Sequence, residues 1–261
     1  MTTSGWQPAI VNTWRRRFDV FAVLVHFVLI ALVAAKLDDK STTSPTTRVR
    51  LGLILLVEVA SFAFHVWIWA GWLLVPPSKL SGFVIDWRTA PWNKFKWAEY
   101  AVTATAGTIS VALSGNSGAS SIPQIVVLSI GGIAQQWCGY TLDAVATSKE
   151  DVSRHTRSFI FGALSQAAEF TILIFWVNVN LESPLFWIYG VMWSSFGVIA
   201  YARLRQELQL DFTAATDMLF IGADKSSTGP RAILELSEMW YSLMGWVAKL
   251  AVGLATIYIA E

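Results

Sequence analysis

One lysine, Lys249, stands near the middle of the apolar stretch Glu238–Ala260, EMWYSLMGWVAKLAVGLATIYIA. At about 1.5 Å of rise per helical residue it would lie roughly 15–18 Å from either end. Its flexible stem cannot lift the ammonium into water over that distance, and a bare ammonium there costs about 2.5–3.5 kcal/mol on insertion scales. Two chemistries relieve that cost. The ammonium can pair with a buried carboxylate, a purely structural solution. Alternatively its nitrogen can form a Schiff base with a carbonyl ligand, the reaction a desolvated lysine offers.

The remaining titratable residues in apolar surroundings decide what Lys249 meets. Glu99 lies in PWNKFKWAEY, one to two turns inside the third apolar stretch, and Thr103, Gly107 and Ser110 continue a polar stripe from it. Such stripes face a bundle interior and not lipid. Helical side chains lean toward their own N-terminus, which points Lys249 down to the level of Glu99. The plainer alternative leaves Glu99 at the membrane interface. His26 and His65 lie in the first and second stretches, in the half that also holds Glu99. They are either ordinary hydrogen-bonded packing or the border of a polar, hydrated cavity. A metal needs a third ligand at compatible spacing. His155 is expected in a loop, so no metal site is expected. Glu58, about two turns from the opposite end of the second stretch, and Glu169, near the middle of the fifth, are further intramembrane acids. Gln135 and Gln136 sit between Gly131, Gly132 and Gly139, whose missing side chains leave room for a bulky ligand. Trp97, Tyr100, Gly245 and Trp246 flank the two key residues and are candidates to wall an aromatic pocket, whereas most of the fourteen tryptophans read as interfacial belts.

The elements that must position these groups are long apolar runs. Of 261 residues 54% are hydrophobic and 14% charged, against about 25% charged in soluble proteins, which marks a membrane protein and not a soluble enzyme. The runs are Phe18–Ala35, Leu51–Val75, Trp97–Leu113, Ile122–Leu142, Phe159–Val179, Leu185–Ala202 and Glu238–Ala260. Each has the length of a transmembrane helix. Arg15–Arg17 ahead of the first run resembles a signal-peptide start, but the run is too long for one. The fold class expected is therefore an all-α membrane protein, a seven-helix bundle forming a single domain over residues 1–261. Ser114–Ser121 reads as a tight polar turn and Asp224–Pro230 as a flexible loop. The single cysteine, Cys138, excludes an internal disulfide, and a net charge of +1 gives no case for nucleic acid.

Basic residues orient the bundle. Placing the N-terminus in the cytoplasm gathers fourteen of nineteen Lys and Arg on the inside, with Lys36, Lys40, Arg48 and Arg50 outside and Lys249 within the membrane. The positive-inside rule then puts the C-terminus outside.

With seven spans, the lysine in SLMGWVAK and the acid in KWAEY, the chain resembles a retinal-binding rhodopsin, and its inverted topology is similar to that of the heliorhodopsins. Further points of resemblance are VLVHF around His26, FAFHVW around His65, CGYTLD, FIFG and IYG, so the likeness runs over essentially the whole chain. It implies that Lys249 carries all-trans retinal as a protonated Schiff base with Glu99 as counterion. It implies further that His26 and His65 belong to a water-containing proton-transfer cavity, and that the first extracellular loop helps form a homodimer. That loop, Lys36–Arg50, contains STTSPTT, compatible with a short hairpin. Two positions depart from the pattern. Gly245 stands one turn before the lysine, where pumps have aspartate and heliorhodopsins tend to have serine, which leaves Glu99 nearly the sole negative partner. Glu169 stands where an apolar or proline residue lining the polyene is expected.

These features together imply a membrane-embedded light receptor, not an enzyme, in which illumination isomerises retinal, the Schiff base proton moves, and an unidentified partner on the cytoplasmic side reads the change. The alternative with the same chromophore is a light-gated passive proton or ion conductor, with Glu58 and Glu169 as the ion path. A retinal-free membrane protein with a Glu99–Lys249 pair is the third reading.

Overall fold

The computed structural model describes residues 8–39, 44–74, 94–114, 121–142, 149–209 and 230–258. They form seven long helices with no strand among the described residues: α1 Pro8–Asp38, α2 Pro45–Leu74, α3 Lys94–Ala112, α4 Ile122–Leu142, α5 Lys149–Thr171, α6 Pro184–Gln209 and α7 Pro230–Tyr258. Six of them are long and apolar enough to cross a membrane, as in an integral multi-pass protein. The exception is α3, because Lys94, Lys96 and Glu99 crowd its first turns.

Each apolar run has a helix along most of its described length, and several helices start ahead of their runs. Ser44 caps α2 by accepting the Thr47 backbone N–H at 3.1 Å, with Pro45 at the first helical position. Pro45–Thr47 of the Thr-rich stretch expected to suit a hairpin are therefore helix, and residues 40–43 lie outside the described residues. Glu150 and Asp151 in the first turn of α5 complement the helix dipole. That start carries the helix through His155, which is buried and helical instead of lying in a loop. The end of α5 widens into a π-helical turn, Ile172–Trp176. Asn178, at φ 52°, closes it, and Val179 N–H bonds back to Leu173 O at 3.0 Å. Asparagine tolerates that left-handed conformation better than other residues with side chains. The turn at Ser114–Ser121 and the loop at Asp224–Pro230 fall mostly outside the described residues.

Consecutive helices pack side by side, and α7 closes the ring against α1 and α2. α3 touches α2, α4, α6 and α7 and so forms the central post. The bundle buries ionisable groups and turns large apolar ones outward: on α1, Asp19 and His26 are buried while Leu24, Phe27 and Val28 face outward. That inversion suits a lipid surround. Lengthwise the interior divides in two. Val33, Leu51, Val111, Leu128 and Leu185, from α1–α4 and α6, and Leu173 of the π-helical turn form part of an apolar core at one end. The buried ionisable groups Asp19, His65, Lys96 and Glu99 occupy the other.

Candidate functional site

At the junction of the two halves, Lys249 Nζ donates to Glu99 Oε1 at 2.5 Å. Ser61 Oγ on α2 donates to the same oxygen at 2.7 Å. The backward lean of helical side chains on α7 brings the ammonium to the carboxylate of α3, as the sequence suggests. The ammonium also lies over the Tyr100 ring, 5.1 Å from its centroid, and Tyr100 OH donates to the Tyr241 carbonyl at 3.2 Å. A Cβ at Gly245 would stand 3.1 Å from the Tyr100 hydroxyl, so the glycine one turn before the lysine gives that tyrosine its place.

Between α1 and α2 lies a second buried cluster. His26 Nδ1 bonds Glu58 Oε2 at 2.5 Å, His65 Nδ1 bonds Asp19 Oδ1 at 3.0 Å, and the two imidazoles stack at 5.6 Å. Counting from the ends of the runs puts Glu58 and His26 in opposite halves of the membrane. They are instead at one depth, because α2 begins at Pro45 and not at Leu51, so Glu58 is deeper than the count implies. The carboxylate also faces α7, with Oε1 3.1 Å from a Cβ built on Gly253, one turn beyond Lys249. Glu99 is thus not the only acid near the lysine. Sequence reasoning missed Asp19 and Ser61. The signal was present in their spacing: Asp19 precedes His26 by two turns, and Ser61 lies between Glu58 and His65 on one face of α2. A hollow of about 10 Å³ among His65, Lys96, Glu99, Trp246 and Lys249 matches a single water in size.

On the other side of Lys249 is a cavity of about 190 Å³. Its wall includes the sequence candidates Trp97, Tyr100, Thr103, Gln135, Gln136, Gly139, Gly245 and Lys249. Trp246 lies on the small hollow instead. Glu169 stands behind the wall: its Oε1 accepts from Thr108 at 2.6 Å and from Tyr189 at 3.1 Å, and it is Tyr189 that lines the cavity. The α6 side, which sequence reasoning left out, supplies Tyr189, Trp193 and Phe196 at helical spacing. Tyr189 and Trp193 stack, Trp193 Nε1 donates to Gln135 Oε1 at 2.7 Å, and Phe196 stacks on Tyr241. Among the described residues Lys249 is the one charged residue in the wall.

Comparison with protein-family models, curated proteins and solved structures finds no match to this chain. The function must therefore be argued from the site itself. Its parts are an amine nucleophile, a carboxylate able to neutralise it or take its proton, an aromatic cavity beside the amine, and a histidine–carboxylate cluster on the other side.

Proposed function

We propose that this chain is a retinal-binding light receptor of the heliorhodopsin kind, spanning the membrane seven times with its N-terminus inside. The observation that carries this reading is the cavity: aromatic, elongated, and bearing one charged group among the described residues, an amine already paired with a buried acid. Its volume exceeds the about 150 Å³ that holds a benzene ring. Its wall follows α6 from Tyr189 to Ala200 and α7 from Tyr241 to Val252, roughly 16 Å of each helix. A long apolar aldehyde suits that shape, and the amine gives it one point of attachment. When bound to Lys249 Nζ, all-trans retinal supplies a polyene that light isomerises.

The protein's own residues do the rest. Glu99 holds positive charge on the lysine nitrogen in the dark and is the nearest group able to take its proton. Ser61 fixes which carboxylate oxygen faces the nitrogen. Trp97, Trp193, Phe196 and Tyr241 shape the channel and exclude water from it. α3, packed against four other helices, is the element through which a change at Glu99 reaches the rest of the bundle.

Purified full-length protein supplied with all-trans retinal tests the reading. The expected result is a visible absorption band, lost on hydroxylamine treatment, and a borohydride-reduced adduct mapped by mass spectrometry to Lys249. A colourless protein, or an adduct on another lysine, would overturn it.

A further inference from the structure

Glu99 meets Lys249 and Glu58 meets His26, but Glu169 meets only two hydroxyls. It is 2% exposed, and its Oε2 is buried without a hydrogen-bond partner. The helices around it bring no cation to its depth. α4 has no acidic or basic side chain and no histidine. On α5 the nearest cation is Arg157, twelve residues before Glu169, and on α6 the first is Arg203, fourteen beyond Tyr189, or roughly 18 Å and 21 Å along the axes. On α3 the nearest charged residue is Glu99, nine residues from Thr108 and already paired with Lys249. Buried without a counter-charge, a carboxyl group keeps its proton, because the ionised form bears the desolvation cost.

The contacts themselves favour the same state. Thr108 Oγ1 is 2.6 Å from Glu169 Oε1, Tyr189 OH is 3.1 Å from that oxygen, and the two hydroxyls are 2.6 Å apart. Two hydroxyls bring two protons to three contacts. With the carboxyl proton as the third, one hydroxyl accepts from the acid instead of donating to it, and each oxygen of the ring donates once and accepts once. The bare Oε2 is then a neutral carbonyl, not half of a carboxylate. This ring ties α3, α5 and α6 together behind the cavity, and Tyr189 carries its effect to the wall. Tyr189 stacks on Trp193 at 17°, and Trp193 Nε1 bonds Gln135 on α4.

We propose that Glu169 is a neutral acid at physiological pH and the positioning residue of the α6 wall, holding the Tyr189–Trp193 pair where it sets the colour of the bound retinal. The part that concerns colour rests on the receptor reading. Glu169 itself does not touch the ligand: it acts through the Tyr189 hydroxyl.

The first arm of the test needs no retinal. Infrared spectra of full-length protein at neutral pH, with and without 13C-labelled glutamate, are compared with those of Glu169→Gln. The variant is expected to lose a carboxylic-acid C=O band that carries the label. Loss of carboxylate stretches instead would overturn the neutral state. Should Glu169→Gln fail to fold, Thr108→Val decides: a labelled acid band that moves when this hydroxyl is removed supports the ring, and one that stays overturns it. In the second arm, retinal-loaded variants are compared by absorption maximum. Glu169→Leu is expected to shift it with the sign and size seen in Tyr189→Phe, and the double variant no further, as for two residues acting as one unit. Glu169→Gln, neutral and nearly of the same shape, is expected to keep the wild-type maximum. Additive shifts, or a Glu169→Leu protein of wild-type colour, would overturn the positioning role, and a shifted Glu169→Gln the neutral state. A wild type with no visible band would overturn the receptor reading, and with it the effect on colour, while the first arm still decides the neutral acid.

Discussion

Gly139 on α4 gives Trp97 on α3 its position: a Cβ on that glycine would lie 2.3 Å from the indole ring. Trp97 is held edge-on between Tyr100 and Tyr241. The indole in turn forms part of the cavity wall, so a backbone feature of α4 sets the width of the site next to Lys249.

Gly139→Ala is therefore expected to overpack the α3–α4 contact and cost about 1–3 kcal/mol. It should also narrow the cavity and slow uptake of retinal. Gly107→Ala is the control, because nothing lies within 4 Å of a Cβ there. Thermal unfolding of both variants, with retinal uptake followed by absorbance, checks the contrast. Equal behaviour of the two would contradict the packing argument.

The Lys249–Glu99 pair makes a second contrast. Removing one partner of a buried ion pair strands the other charge, at a cost of about 3–5 kcal/mol. Glu99→Gln is thus expected to unfold more readily than wild type before any retinal is added, whereas Lys249→Ala strands the carboxylate and binds no retinal covalently. In retinal-loaded protein the sign follows from the charges. The carboxylate favours the protonated nitrogen, so without it the visible band should give way to a near-ultraviolet one at lower pH than in wild type. An unchanged pH titration would transfer the counterion role to Glu58, the other acid beside α7.

The architecture was largely legible in the sequence because bilayer length and hydropathy leave little freedom: each of the seven apolar runs has a helix along most of its length, although Leu113 and residues 177–179 lie past helix ends and Val75, Ile259 and Ala260 lie outside the described residues. The Lys249–Glu99 pair was legible for a similar reason, since a buried ammonium demands an acid at its own depth. What escaped was pairing across helices. His26 meets Glu58, and His65 meets Asp19, and these contacts depend on where α2 begins to within one turn, which hydropathy does not resolve. α6 escaped for a different reason. Its aromatic residues read equally well as lipid-facing, and only packing shows that Tyr189 is 3% exposed while Trp187, two residues earlier, is 59% exposed.

Tyr189→Phe probes the wall that hides Glu169. Thr108 continues to donate to the carboxylate, so the loss should be that of the two contacts the Tyr189 hydroxyl makes, to Glu169 and to Thr108, about 0.5–1.5 kcal/mol each. Since Tyr189 lines the cavity and Glu169 lies behind it, the absorption maximum of the retinal-loaded protein is expected to shift as well. A stability loss without any spectral change would place the bound polyene away from α6.

Whether ions cross the bundle separates a receptor from a conductor. The histidine cluster and the Lys249–Glu99 pair give one half of the interior a chain of groups able to carry a proton. The other half offers Glu169, but that carboxylate is 2% exposed and enclosed by Thr108 and Tyr189, whose hydroxyls also bond each other at 2.6 Å. Along α3, Thr108 is nine residues from Glu99, or roughly 13 Å. Around and beyond it lies the apolar core of Val33, Leu51, Val111, Leu128, Leu173 and Leu185. A path across the membrane needs polar groups or water continuously along its length, and that core supplies neither. Voltage clamp of cells expressing the retinal-loaded protein is therefore expected to show no steady photocurrent at any holding voltage, in wild type and in Glu169→Gln alike. A brief charge displacement on illumination, altered in Glu58→Gln, is consistent with a proton that moves within one half and stays there. Sustained currents that reverse with the proton gradient and vanish in Glu169→Gln would mean that the apolar core opens in light, and the chain would then be a conductor.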